Sequence, residues 1–324
     1  MPTQSRRAVL RHTGGHEVLE WEDVTLPDPG PGEALVRHEA VGLNFIDVYF
    51  RTGLYPTALP AQVGGEAAGV VEAVGEGVTG VAVGDRVAYA TGGFGAYATG
   101  RNIGAQHLLP LPDGVSFETA AAVTLKGLTV AYLFDRTVEI GPDETVLMLP
   151  AAGGVGLIAC QWARSEGVRL IGAAGGPEKC ALARDNGASE TIDYRSADLA
   201  EEARRLTDGR GVDVVMDAVG RDTFVASLDA LRPLGMMISF GNASGKVEPF
   251  DLQLLSQKGS LKLTRPTLFS HAAHLREMAA KLYGKVASGE VVPRIDSRVP
   301  LAKAAEAQRA LEARRTTGST VLVP

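Results

Sequence analysis

The segment Val146-Leu147-Met148-Leu149-Pro150-Ala151-Ala152-Gly153-Gly154-Val155-Gly156 sets a glycine-rich turn between an apolar run and a helix-like stretch. That is the context a dinucleotide fingerprint requires. Ala151 stands at the first glycine position of the G-x-G-x-x-G pattern, Gly153 at the second and Gly156 at the third. The missing side chain at Gly153 lets a pyrophosphate approach the backbone, and Gly156 lets the helix pack close to the strand. Ala152, Gly154 and Val155 complete a turn whose helix N-terminus supplies free N–H groups for phosphates. The end of the next strand reads Ala173-Ala174-Gly175-Gly176-Pro177-Glu178-Lys179. Its tip, at Gly175, lacks the acid that holds a ribose 2′-hydroxyl in NAD sites. Lys179, with Tyr194 and Arg195 after the third strand, offers a cation and a hydroxyl that suit a phosphate monoester. The choice favours NADP(H) over NAD(H). The competing reading makes Lys179 and Arg195 ordinary solvated charges and turns Glu178 inward.

No metal site is expected. There are two cysteines, Cys160 and Cys180, and six scattered histidines, too few at ligand-like spacing for a catalytic or structural zinc. His271 and His274 come closest, and an exposed pair at a helix start explains them better. Cys160, inside a helix, reads as a small core residue. The sequence shows no catalytic triad and no nucleophile beside a base. Glu66 reads as an isolated carboxylate that holds the fold or the cleft together rather than titrating in turnover.

These residues need a frame. With 324 residues the chain is long for one core and predicts two domains. The first part carries short strand-like runs (Arg7–Leu10, Ala34–Val41, Ala68–Val74, Arg86–Tyr89) punctuated by Pro/Gly turns, the pattern of a barrel-like antiparallel domain. Residues 116–135 change to helical spacing. From about Thr137 to Thr264 strands and helices alternate, with strands expected at Thr145–Leu149, Arg169–Ala173, Thr191–Asp193, Val212–Asp217, Met236–Phe240 and Ser260–Thr264. That alternation specifies a doubly wound parallel sheet. Helical stretches His271–Ser288 and Leu301–Ala313 and a strand at Thr320–Val323 are too few for a domain and are expected to return to the first one. The net charge of −6 argues against a broad nucleic-acid footprint. No apolar run reaches the length of a membrane span, no signal peptide is evident at the N-terminus, and the expected location is cytoplasmic.

The stretch Asp143–Arg164 resembles the signature of the quinone oxidoreductase/zeta-crystallin family, a zinc-free branch of the medium-chain dehydrogenases/reductases. Val41–Pro56, Leu125–Thr129, Val219–Thr223, Ser239–Asn242 and Thr264–Pro266 are similar in the same way, so the resemblance covers essentially the whole chain. It implies an α/β protein with a GroES-like β-barrel catalytic domain (1–126 and 265–324) and a Rossmann doubly wound parallel sheet (127–264). It further implies NADPH-dependent reduction of small quinones in the cleft between domains, one electron at a time to semiquinones, by a homodimer. Where zinc-dependent relatives carry a Gly-His-Glu motif, the chain has Gly64-Gly65-Glu66, and Asn44 stands at the place of their ligand cysteine.

Carried onto this sequence, the family pattern places Asn44, Tyr49 and Tyr55 on the catalytic side. Their alternative roles are a helix cap for Asn44 and core packing for the tyrosines. Lys126 and Thr129, expected at a helix start, face nicotinamide or ribose, or solvent in the case of Lys126. Phe240, Gly241 and Asn242 end a parallel strand, where such sheets bind ligands, with a structural turn as the alternative, and the resemblance adds Val219 to the cofactor side. Arg265 either meets a cofactor phosphate or ties the domains together. Two rivals share the sequence: an NADPH-dependent reductase of enone or enal double bonds, and a crystallin-like or RNA-binding protein.

Overall fold

The computed structural model describes residues 3–324. In chain order the first part holds β1 (Thr3–Leu10), β2 (Leu19–Leu26), β3 (Glu33–Gly42), α1 (Phe45–Arg51), β4 (Ala61–Gln62), β5 (Glu66–Val74), β6 (Arg86–Tyr89), β7 (Gly100–Gly104), β8 (Leu109–Pro110) and α2 (Phe117–Tyr132). Then β9 (Thr145–Leu149), α3 (Gly154–Glu166), β10 (Arg169–Ala174), α4 (Pro177–Asp185), β11 (Glu190–Asp193), α5 (Leu199–Arg205), β12 (Val212–Asp217), α6 (Phe224–Asp229), β13 (Leu231–Ser239), α7 (Gln253–Gln257) and β14 (Lys262–Thr264) alternate. Finally come α8 (Leu275–Ala287), β15 (Ile295–Pro300), α9 (Ala304–Glu312) and β16 (Ser319–Val323).

Two compact units result. The first comprises the chain up to Leu125 with Leu282–Ala287 and Pro293–Pro324, the second Lys126–Lys281 with Ser288–Val292. In the first, a seven-stranded sheet runs β15-β16-β3-β5-β6-β8 with β7 also on β3, beside a three-stranded sheet β2-β1-β4. Its pairings are antiparallel except β15 with β16. Ala8, Leu10, Val36, Val41, Val71, Tyr89, Tyr97, Ile103 and Leu322 fill the core between them. Glycine is required where strands cross closely: a Cβ on Gly69 would lie 1.9 Å from the Arg37 carbonyl oxygen.

The second unit is a six-stranded sheet in the order β11-β10-β9-β12-β13-β14, parallel throughout. β9 and β12 are buried at every position, as a sheet covered on both faces demands. The order reverses between β9 and β12, so their carboxyl ends open the crevice where doubly wound sheets bind ligands.

The chain does not return to the first unit directly after Arg265. Residues up to Lys281 pack with the sheet, because Lys281 pairs with Asp135 and Glu166 and lies 5.1 Å from the Trp162 ring centre. Val292 is held by Gln161, which accepts its N–H at 2.6 Å and donates to its carbonyl. Helix α2 begins at Phe117, so Lys126 and Thr129, expected at a helix start, are interior positions.

At the start of β12, Asp213 is buried. Burial raises its pKa, but hydrogen bonds from Arg210, Arg232 and the Thr145 N–H together outweigh that and hold the carboxyl well below the usual range. A depressed native pKa stabilises the fold above the unfolded value of about 3.9 and loses that contribution as pH falls through the native value. Asp213→Asn is therefore expected to lower stability at pH 7 by about 2 kcal/mol, with the deficit shrinking between about pH 5 and pH 2 in urea titrations.

Candidate functional site

The phosphate turn follows from local packing. Ala151 N–H bonds the Ala173 carbonyl at 2.8 Å, locking the turn to β10. Gly153 caps α3 in an extended conformation. The two glycines of the fingerprint differ in what demands them. A Cβ on Gly156 would lie 2.2 Å from the Pro150 oxygen and 2.6 Å from that of Ala151, so packing excludes one. A Cβ on Gly153 would meet Pro150 only at 3.5 Å and beyond, an ordinary contact. The protein leaves that space to whatever approaches the helix N-terminus, which fits a pyrophosphate. Cys160 lies in the middle of α3 fully buried, with its thiol pushed up to about 12 by burial, so it is an inert core residue.

At the tip of β10, Gly175 sits under the cationic side. A Cβ there would fall 2.9 Å from Arg195 Nε and 3.3 Å from the Tyr194 hydroxyl. Asp193 Oδ1 accepts the N–H groups of Gly176 (2.8 Å) and Arg195 (3.0 Å), bending the chain so that Tyr194 and Arg195 border Gly175. The Gly176 hydrogen bond and then that of Arg195 hold the Asp193 carboxyl below its ordinary value. Lys179 lies half-buried on the first turn of α4, while Glu178 is exposed. Asp193 was not anticipated from the sequence; its Asx-turn spacing to Arg195 is the signal that could have found it.

Across the switch point, Phe240 N–H bonds the Asp217 carbonyl at 2.8 Å, and Gly241 approaches Ala218 so closely that a Cβ would lie 2.5 Å from its oxygen. Asn242 and Val219 are buried in the same pair of loops. Arg265 donates to the Ser239 carbonyl and hydroxyl and to the Gly241 carbonyl, so it fastens the end of β13 within its own unit. Lys126 and Thr129 are buried on α2.

In the first unit, Asn44 caps α1, its N–H donating to Asp47 Oδ2 at 2.9 Å. Its side-chain amide donates to Glu66 Oε2 at 2.8 Å and points a longer contact at the Gly42 carbonyl. Glu66, fully buried, accepts the Leu125 N–H at 2.6 Å with its other oxygen. Gly42 is obligatory here, because a Cβ would stand 2.2 Å from Glu66 Oε2. The donors of Asn44 are thus directed into the protein. Tyr49 is buried and Tyr55 half-buried, with ring centres 5.0 Å apart. Phe50 links Tyr55 to Phe94, whose ring borders Gly65. This aromatic wall offers faces to a flat ligand. Among the described residues no group of three His, Cys, Asp or Glu side chains is placed to hold a metal, and no helix is long and apolar enough to cross a membrane.

A GroES-type barrel joined to a dinucleotide-binding sheet defines a medium-chain dehydrogenase/reductase. Residues 30–113 match the alcohol dehydrogenase GroES-like domain and residues 154–283 the zinc-binding dehydrogenase family. The chain is 54% identical to a quinone oxidoreductase of Pseudomonas aeruginosa over 99% of its length and 100% of the relative's. It matches the crystal structure of Escherichia coli quinone oxidoreductase complexed with NADPH with a TM-score of 0.96 at 46% identity, covering 98% of this chain and 100% of that one. A 2-haloacrylate reductase of Burkholderia is 40% identical over 98% of both chains. The protein belongs to the quinone oxidoreductase family and is an oxidoreductase.

The two glycines give a paired test. Gly156→Ala is expected to lower the melting temperature by several degrees. Gly153→Ala should melt close to the parent yet weaken NADPH binding about tenfold or more in a fluorescence titration.

Proposed function

We propose that the protein reduces small quinones with NADPH, the reading carried by the pairing of a phosphate turn at Gly153 with a strand tip at Gly175 that is bordered by Arg195 and Tyr194 and whose own strand carries no acid there. Residues 152–156 take the pyrophosphate. Gly175, Lys179 and Tyr194 take the 2′-phosphate, with Arg195 beside them. Val219 and Phe240–Asn242 receive the nicotinamide half, together with Lys126, Thr129 and Arg265. When bound, NADPH supplies the hydride equivalent. Tyr49 and Tyr55 orient the flat substrate by ring contact, and Asn44 keeps α1 in place beside them through Glu66.

A quinone is already electron-poor, so binding and orientation carry most of the demand. In the one-electron course, one NADPH reduces two quinones to two semiquinone anions and leaves NADP⁺ and one proton. The protein is proposed to work in the cytoplasm, and the edge strand β14 to pair with its copy across a two-fold axis in a homodimer. The 2-haloacrylate reductase relative keeps a second reading in view, reduction of activated carbon–carbon double bonds on the same frame.

Oxidation of NADPH followed at 340 nm with 1,4-benzoquinone, an ortho-quinone and an enone separates these readings. Quinone turnover that prefers NADPH over NADH and survives a chelator is expected. Turnover with the enone alone would transfer the protein to the double-bond reductases. Lys179→Glu should raise KM for NADPH about tenfold or more while leaving that for NADH nearly unchanged.

A further inference from the structure

Asp217 ends β12 at the switch point, paired in register with Leu149 on one side and Ser239 on the other. It is fully buried and no step of the proposed reaction uses it. Its carboxylate has four donors. Oδ1 accepts the N–H groups of Val219 (2.7 Å) and Gly220 (3.1 Å), and Oδ2 accepts the hydroxyls of Thr223 (2.7 Å) and Ser227 (2.8 Å). A single side chain therefore pulls the loop after β12 inward and fastens it to the first helical turns of α6. Burial raises the pKa of this carboxyl, and the four donors oppose that rise.

The loop so held is stitched to the one after β13. Ser244 bonds the Val219 carbonyl with both its N–H and its hydroxyl, Ala243 N–H bonds the Ala218 carbonyl, and Arg221 N–H reaches the Gly245 carbonyl. Gly220 adopts φ +92°, and a Cβ there would lie 2.7 Å from the Gly245 oxygen. The two loops are thus tied together as one lip. In a sheet of this order the adenosine half of a dinucleotide lies over the strands on the fingerprint side, here β9, β10 and β11, and the other half over the strands beyond the switch point.

We infer that Asp217 is a positioning residue for the nicotinamide half of the cofactor, acting through the joined loops 217–223 and 239–245 and touching no ligand itself. The inference rests on the NADPH reading above. Two probes divide the cofactor: NADPH spans both halves, whereas 2′,5′-ADP occupies the adenosine half alone.

Asp217→Ala is expected to weaken NADPH binding about tenfold or more, with 2′,5′-ADP held within about twofold of the parent, both by titration calorimetry. Asp217→Asn should restore NADPH affinity to within about threefold. Its amide oxygen keeps the two N–H donors, and its NH2 donates to hydroxyls able to reverse and accept. Thr223→Val removes one donor without emptying the site and should show the same selective loss, about threefold, which keeps the test open if the alanine variant fails to fold. Equal loss of both probes in a folded variant, or no loss of NADPH in either Asp217→Ala or Thr223→Val, overturns the inference. Failure of the parent protein to bind NADPH would instead sink the functional reading on which it rests.

Discussion

The close approach of α3 to the end of β9 is the constraint on which the rest depends. The helix reaches the sheet only because Gly156 has no side chain to set against the carbonyl oxygens of Pro150 and Ala151. That contact fixes where the first turn of α3 points its unpaired N–H groups, at the place where the strand order reverses. The far end of the helix is anchored as firmly. Gly167 closes it in the left-handed conformation, and Gln161 and Trp162 fasten its flank to Val292 and Lys281. A helix pinned at one end by a glycine and at the other by polar contacts is a rigid support for an anion.

The first unit solves a related problem with a carboxylate. Glu66 is buried, and an ionised group so placed must be given partners or the fold loses several kcal/mol, about 3–5 when one partner is removed. It receives the Asn44 amide and the Leu125 N–H, one from the start of α1 and one from the middle of α2. The same two bonds tie the start of α1 and the backbone of Leu125 to one carboxylate of β5. This explains why Gly42 faces it: any side chain would occupy the carboxylate's place.

The parts of this arrangement legible in the sequence are those written in local periodicity. The alternation from β9 to β14 and the fingerprint at 151–156 required only neighbouring residues, and β6, β9 and β12 begin and end where the sequence places them. Strand β2 escaped because Leu19–Leu26 is half-exposed and charged, so its identity comes from eight-residue pairing with β1 rather than from its own composition. The helical spacing from residue 116 places the start of α2 to within one residue, at Phe117. The placement of residues 265–281 escaped because it depends on ion pairs from Lys281 to residues more than a hundred positions away. Glu66 is legible in the sequence as a carboxylate that holds the structure together, though its partners are not, and Asp217 escapes altogether. The partners of Glu66 are scattered along the chain, whereas those of Asp217 lie within ten residues and form a pattern that local reasoning could have found.

The two buried carboxylates, Glu66 and Asp217, each accept a hydrogen bond on both oxygens. Tyr49 and Tyr55 pack ring against ring, and Asn44 directs its amide donors to Glu66 and the Gly42 carbonyl. A phosphate turn of this kind acts by holding a bound group in a fixed place, where proximity alone is worth several kcal/mol, about 7–11 in well-oriented cases. That repertoire matches an acceptor whose own electron deficiency drives the transfer, and it would serve poorly for an unactivated alcohol, whose oxidation needs a base or a Lewis acid at the oxygen.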